Sequence, residues 1–262
     1  MIDTHNHILP EIDDGASTVQ EALAMARRAV EDGIHTVVCT PHYQYLGRLN
    51  HPEDVRQRVA SLQEILNENG ITLKLLPGYE VPVVPELLDL IEKRSVPTIG
   101  DNGRWVLLET PFDRFPFRFR DIVFRMSASG FDPVLAHPER NYRVQSSIDV
   151  LNEIVPEETP LQITSHSITG MFGPRAKQCA LQLLTSGRPV LIASDAHSSR
   201  GRGPVLSEAV AAAAKVIGEE AAAQLVSDIP AAILRGESIW IPPIRPPRRR
   251  GFLSAIFSKI LD

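Results

Sequence analysis

Along the 262-residue chain, short runs of β-branched and apolar residues alternate with longer amphipathic stretches. The short runs predict strands over 2–5, 35–39, 73–77, 105–108, 133–136, 161–164 and 189–193. The longer stretches predict helices over 19–31, 53–69, 86–93, 118–129, 148–154 and 175–185. Gly33, Gly70, Gly130 and Gly187 fall just past four of these helices, where a left-handed cap favours glycine. Seven strands alternating with helices indicate a parallel α/β architecture. Two alanine-rich packing helices, over 205–217 and 221–226, follow the seventh strand. Beyond them the prolines of 241–247 predict an extended linker. It leads to Arg248, Arg249 and Arg250, then to a segment whose Phe252, Leu253, Ile256, Phe257, Ile260 and Leu261 share one helical face. The expected organisation is a globular unit over 1–240 and a linker with a basic amphipathic tail over 241–262. No internal repeat is visible.

The predicted strand ends carry the chemistry. The first gives His5 and His7, two residues apart and so on one side of a strand, with Asp14 in the loop that follows. The second is followed by His42, and the third by Glu80. The fourth ends on Glu109, the fifth leads into His137-Pro138-Glu139-Arg140, and the seventh into Asp195-Ala196-His197. Five histidines and four carboxylates therefore fall at six strand ends. This recurrence favours a barrel, whose site is assembled from many strand ends, over an open sheet, which concentrates ligands at one switch point. Any one of these residues alone could be a turn former or a solvated charge. So many buried charges would be costly without compensating cations, and nine ligands suit two or three divalent ions. Three ions against four carboxylates leave an excess of two positive charges, which favours a dianion such as a phosphate monoester. His35 begins a strand at the opposite end and reads as structural. His51 reads as solvated, and His166 as a loop residue within reach of the site.

Composition narrows the class. A formal charge of −5 argues against a general nucleic-acid binder. Cys39 and Cys179 are the only cysteines, so no disulfide framework is implied and a reducing cytoplasm fits. No leader precedes the first motif, and no apolar run approaches the ~20 residues of a membrane span. A thiol phosphatase needs arginine six positions after its cysteine; here those positions hold Tyr45 and Thr185. No phosphate-binding Walker loop or dinucleotide fingerprint occurs.

His5-x-His7, Thr40-Pro41-His42, Gly78-Tyr79-Glu80, His137-Pro138-Glu139-Arg140 and Ser194-Asp195-Ala196-His197 together resemble the PHP (polymerase and histidinol phosphatase) metal-dependent phosphoesterases. The run from Ile8-Leu9-Pro10 to Asp13-Asp14-Gly15, with His137 to Asn141 and the loop 168–173, is similar to the PHP protein-tyrosine phosphatases of bacterial capsule and exopolysaccharide operons. The resemblance covers residues 1 to about 200. It departs at Ser165-His166, where an asparagine-containing segment is expected, so substrate contacts of that loop are in question. It implies a distorted seven-stranded (β/α)7 PHP barrel and three divalent metal ions, manganese first, with iron or zinc as alternatives. His5, His7, Glu80 and Asp195 would hold one ion; Glu80, Glu109 and His137 a second; Asp14, His42 and His197 the third.

The implied ions would acidify a water to serve as nucleophile. Arg140 is the first candidate to hold the phosphoryl group through its planar fork; a salt bridge to Glu139 or another acid is its alternative role. Arg200 and Arg202, in a glycine-rich loop after the last strand, are further candidates. A phenol leaves more readily than an aliphatic alcohol, so phosphotyrosine depends less on a general acid. The aromatic and arginine-rich segment 112–119, with Tyr43 and Tyr45, could line an entrance for an aromatic ring with acidic flanks, or simply cap the barrel.

The expected activity is hydrolysis of phosphotyrosine on a bacterial tyrosine kinase, or its C-terminal tail, that governs polysaccharide synthesis and export. The alternatives are a small-molecule phosphatase such as a histidinol phosphatase, and a non-catalytic phosphopeptide-binding adaptor. No nucleic-acid partner is expected. The tail carries a net +4, leaving −9 on the remainder. Residues 245–262 could therefore hold the protein at the inner face of the cell membrane, dock on a partner subunit, or do neither.

Overall fold

The computed structural model describes residues 1–239 apart from 46, 47, 50 and 85; the expected tail over 241–262 lies outside the described residues. Strands β1 (Ile2–Asn6), β2 (Thr36–Cys39), β5 (Lys74–Pro77), β7 (Trp105–Glu109), β8 (Asp132–Ala136), β9 (Leu161–Thr164) and β10 (Val190–Ala193) correspond to the seven predicted from sequence. Three further strands were not predicted: a two-stranded antiparallel ribbon of β3 (Gln44–Tyr45) and β4 (Arg48–Leu49), and β6 (Glu80–Pro82). Strands β2 and β10 are buried at every residue, as parallel strands covered on both faces must be.

The principal strands form two parallel sheets, of order β1-β2-β5 and β10-β9-β8-β7-β6, rather than the single seven-stranded sheet expected. The reason lies at Gly78-Tyr79, where the chain steps between β5 and β6. A Cβ at Gly78 would lie 2.5 Å from Val38 Cγ1, so glycine is needed for the close approach to β2. After the step, Glu80 bonds to the segment beyond β2: its N–H donates to Pro41 O (3.2 Å) and its carbonyl accepts from Tyr43 N–H (2.8 Å). At the other edge, Asp195 N–H donates to His5 O (2.8 Å) and His7 N–H to Ala196 O (2.9 Å). Short backbone contacts thus join both edges of the two sheets.

The helices close over this frame. Val19–Glu31 starts where the Thr18 side chain accepts the N–H of Glu21, and buries Ala22, Met25, Ala26 and Ala29, one stripe at helical spacing. Gly33, Gly70, Gly130 and Gly187 all have positive φ, as their cap positions predicted. Helices Tyr142–Ser146, Ser165–Thr169 and Asp228–Leu234 were not anticipated; the first two have five residues each, too short to show a period. The turn after Asp228–Leu234 seals the end of the sheet away from the loops that carry the predicted ligands, through Trp105 Nε1 to Glu237 O (2.9 Å) and Arg104 to Gly236 O (3.0 Å).

Candidate metal centre

All nine residues predicted as ligands come together at the ends of the parallel strands. His5 and His7 leave the same side of β1, and their Nε2 atoms lie 3.2 Å apart. Glu80 Oε2 is 3.3 Å from His5 Nε2 and 3.4 Å from His7 Nε2, and Asp195 Oδ1 is 3.4 and 3.6 Å from the same atoms. Glu80 Oε1 meets His137 Nε2 at 2.7 Å. His42 Nδ1 faces Glu80 (3.1 Å) and Glu109 (3.5 Å), while its Nε2 and that of His197 each lie 3.4 Å from Asp14 Oδ1. Among the described residues, three overlapping groups have ligand atoms within 4.8 Å of one another: His7, Asp14, His42 and His197; His5, His7 and Glu80; His42, Glu80 and Glu109. The nitrogens and carboxylate oxygens face a common space, and this hard-to-borderline donor set fits divalent cations. Burial is graded across it. His5, His7, Glu80, His137 and Asp195 are buried, whereas Asp14 is 46% and Glu109 24% exposed, so the centre opens on the side of those two carboxylates.

Protons and charges respond to this crowding. Burial alone would push the His7 pKa down, but hydrogen bonds and charge from Asp13 and Glu80 override it and hold the ring at about 10. Burial resists ionisation of Glu80 and Asp195 too. Neighbouring histidines bring Glu80 well below the usual range, and His5, His137 and Arg202 hold Asp195 at about 2. His137 and Asp195 both have left-handed backbone, with φ of 32° and 51°, in non-glycine residues. Such conformations cost about 1–3 kcal/mol each and persist where surrounding contacts fix them. Here the contacts are the His137–Glu80 bond and the Asp195 N–H to His5 O.

The three candidate arginines are placed differently. Arg140 Nη1 (2.6 Å) and Arg202 Nη2 (2.8 Å) both bond Asp195 Oδ2, while Oδ1 of the same carboxylate faces the histidines. Arg140 therefore pairs with an acid other than Glu139. Its guanidinium carbon sits 4.4 Å from the ring of Phe112 and 4.6 Å from that of Phe172, held between two aromatic faces. Glu139 points elsewhere: its Oε1 accepts from Ser167 (2.7 Å) and from Thr164 N–H (3.0 Å), and burial pushes its carboxyl up. Arg200 is exposed, and its side chain makes none of the ion pairs that hold Arg140 and Arg202. His166 is not a member of the ligand groups. Its Nε2 lies 3.1 Å from Gly201 O, bracing the loop that carries Arg202. His35 bonds Thr36 Oγ1 at the far end of β2, and His51 is exposed at a helix start.

Several residues were not legible from sequence. Asp13 accepts from His7 Nδ1 (2.7 Å), from His42 N–H (3.1 Å) and from Gly15 N–H (2.9 Å), so it orients one ring and ties two ligand loops together. Gln162 Oε1 meets His5 Nδ1 at 2.9 Å across 157 positions. Both partners leave Nε2 of their histidine aimed at the cluster. Asp3, wholly buried, accepts from Ser194 N–H and Oγ and from Asn6 Nδ2, fastening β1 to the Asp195 loop. The adjacent carboxylates at 13 and 14 gave a signal for Asp13; Gln162 and Asp3 gave none. Of the aromatic segment, Phe112 packs against the site, 5.5 Å from the His137 ring, whereas Phe117 is 91% exposed.

The family described as capsular polysaccharide synthesis, CpsB/CapC, matches residues 1–235. Tyrosine-protein phosphatase YwqE of Bacillus subtilis is 34% identical over 250 residues, covering 95% of this chain and 98% of that protein. Tyrosine-protein phosphatase CpsB of Streptococcus pneumoniae is 27% identical over 245 residues, 91% of this chain and 100% of that protein. A solved structure from work on YwqE and CpsB, described as unique metal-dependent tyrosine phosphatases, superposes with a TM-score of 0.87 at 34% identity, over 95% of this chain and 100% of that one.

Proposed function

Because this chain belongs to the CpsB/CapC family of capsular polysaccharide synthesis, we propose that it is a metal-dependent protein-tyrosine phosphatase. One observation carries the reading: two guanidinium groups, Arg140 and Arg202, converge on one carboxylate oxygen at the rim of a buried histidine–carboxylate cluster. A phosphoryl dianion arriving there meets two cations, at least one able to offer a bidentate fork, beside a set of cation ligands.

His5, His7, Glu80 and Asp195 would hold one divalent ion, Glu80, Glu109 and His137 a second, and Asp14, His42 and His197 a third. Imidazole and carboxylate without thiolate suit manganese, our first choice, or iron or zinc. When bound, such ions polarise phosphoryl oxygens and lower the pKa of water. The protein's own part is positioning. Asp13 and Gln162 fix the His7 and His5 rings, and Phe112 and Phe172 hold Arg140 flat. Arg140 and Arg202 exchange part of their bond to Asp195 for the substrate's phosphoryl oxygens. Arg200, exposed on the same loop, would act only as a longer-range cation. A phenol leaving group, pKa ~10, needs little protonation as it departs, so no dedicated general acid is required.

The same reading takes residues 1–240 as the phosphatase unit and its two sheets as a distorted seven-stranded PHP barrel, with β5 and β6 as one interrupted strand. The edge-joining bonds at Asp195, His7 and Glu80 support it. It places the protein beside a tyrosine kinase of polysaccharide export, on the cytoplasmic side. No helix among the described residues is long and apolar enough to cross a membrane. Any membrane contact would fall to residues 245–262, and liposome sedimentation with and without 241–262 tests that.

The deciding assay compares a tyrosine-phosphorylated peptide with histidinol phosphate, using manganese-loaded protein. Preference for the peptide, abolished by chelation, is expected. Strong preference for histidinol phosphate sinks the proposal, and binding of the peptide without hydrolysis replaces it with an adaptor role.

A further inference from the structure

Beside the metal centre runs an apolar groove of about 380 Å³, walled by Val83, Val84 and Leu88 on one side and by Pro116, Phe117 and Ile122 on the other. Arg118, Asp121 and Arg125 complete its lining. Phe117 is 91% exposed, and Val83, Val84, Leu88, Pro116 and Ile122 are each half-buried, so the apolar surface along the groove is contiguous and open to solvent. Resting on the phosphatase reading, we infer that this groove is where the substrate polypeptide docks: it takes an apolar side chain near the phosphotyrosine, with acidic residues alongside.

Two observations choose this occupant. The first is continuity with the centre. Val83 N–H donates to Glu109 O (3.2 Å), and Val83 lies three residues beyond Glu80, so one wall begins where two ligands end. The other wall follows Glu109 in the chain and is anchored beside Arg140, because Asn141 Nδ2 donates to Pro111 O (2.8 Å) and Arg114 O (3.3 Å). Both walls therefore lead away from the centre, so the side chain that enters the groove is one of those flanking the phosphotyrosine. The second is charge. Segment 112–125 holds Arg114, Arg118, Arg120 and Arg125 against Asp113 and Asp121, and the facing wall adds only Glu86, so the two walls together are net +1 in a chain of −5. A local cationic rim attracts an acidic peptide.

The test uses the full-length, manganese-loaded protein with three substrates: p-nitrophenyl phosphate, a phosphotyrosine peptide with leucine and glutamates within three residues, and the same peptide with glycine and serine flanks. Variants Phe117→Ser and Arg125→Glu change exposed positions away from the ligands. The wild type is expected to show a lower KM for the acidic, leucine-bearing peptide than for the plain one. Each variant raises that KM on the order of tenfold, leaving kcat and p-nitrophenyl phosphate turnover unchanged. Equal KM values for the two peptides, or variants that leave the preference intact, overturn the groove while the phosphatase reading stands. No turnover of any phosphotyrosine substrate by the wild type removes that reading and the groove with it.

Discussion

Asp13 is not among the nine predicted ligands, yet replacing it with alanine should weaken metal binding by about 10- to 100-fold. Its Oδ2 takes the Nδ1 proton of His7 at 2.7 Å and the His42 backbone N–H at 3.1 Å, with Gly15 N–H on the other oxygen. A hydrogen bond to a charged group contributes about 1.5–3 kcal/mol, and ~1.4 kcal/mol is tenfold in affinity, so losing the His7 bond alone predicts one to two decades. Asp13→Asn keeps an acceptor for Nδ1–H and should recover most of the loss, separating orientation from charge. A second effect runs the other way. Asp13 also helps to raise the His7 pKa, so its removal eases competition between protons and metal at that ring. The deficit should therefore be larger at pH 8.5 than at pH 6.5. Isothermal titration of metal into chelator-treated protein gives affinities at both pH values, with circular dichroism as a check on folding. An alanine variant that is folded and binds metal as the wild type does at pH 8.5 would refute the reasoning.

Arg140→Lys keeps a charge but loses the fork and its fit between Phe112 and Phe172, so kcat/KM for a phosphotyrosine peptide should fall about 10²-fold, with Arg140→Ala lower still; near-wild-type turnover of the lysine variant would return Arg140 to a structural role. Gly15→Ala should lose both metal binding and stability, because an added Cβ would lie 2.0 Å from His7 O; a melting temperature within a degree of wild type contradicts this. For metal-free protein, His7 has a folded pKa raised to about 10. Its contribution to stability is full below the unfolded value of ~6.5 and declines as pH rises through about 10. Thermal unfolding of the chelator-treated protein from pH 6.5 to 10.5 should show that decline, and saturating metal should flatten it.

Much of the fold was readable because its signals are local. The seven predicted strands sit within about a residue of the observed ones, since each is a short apolar run closed by a turn residue or a helix start. The nine candidate ligands could be gathered from strand ends because parallel strands joined by helices place all their carboxyl ends at one face. The break at Gly78-Tyr79, by contrast, is governed by the approach of Val38, about forty residues earlier in the chain. The five-residue helices lie below the length at which periodicity is detectable.

By itself, then, the sequence determined the alternation of strands and helices, the face on which His5 and His7 emerge, and the collection of imidazoles and carboxylates at that face. Only the tertiary structure decided how those groups are held. Gln162 finds His5 across 157 positions, and Asp3 fastens Ser194 across 191. It also decided that Asp195 would divide its two oxygens between the histidines and the arginines, and that Phe172 would lie over Arg140. The physical reason is that the choice of candidate ligands follows from residue type and strand period, both local. Ring orientation, charge pairing and sheet closure follow from contacts between segments distant in the chain, which no local pattern encodes.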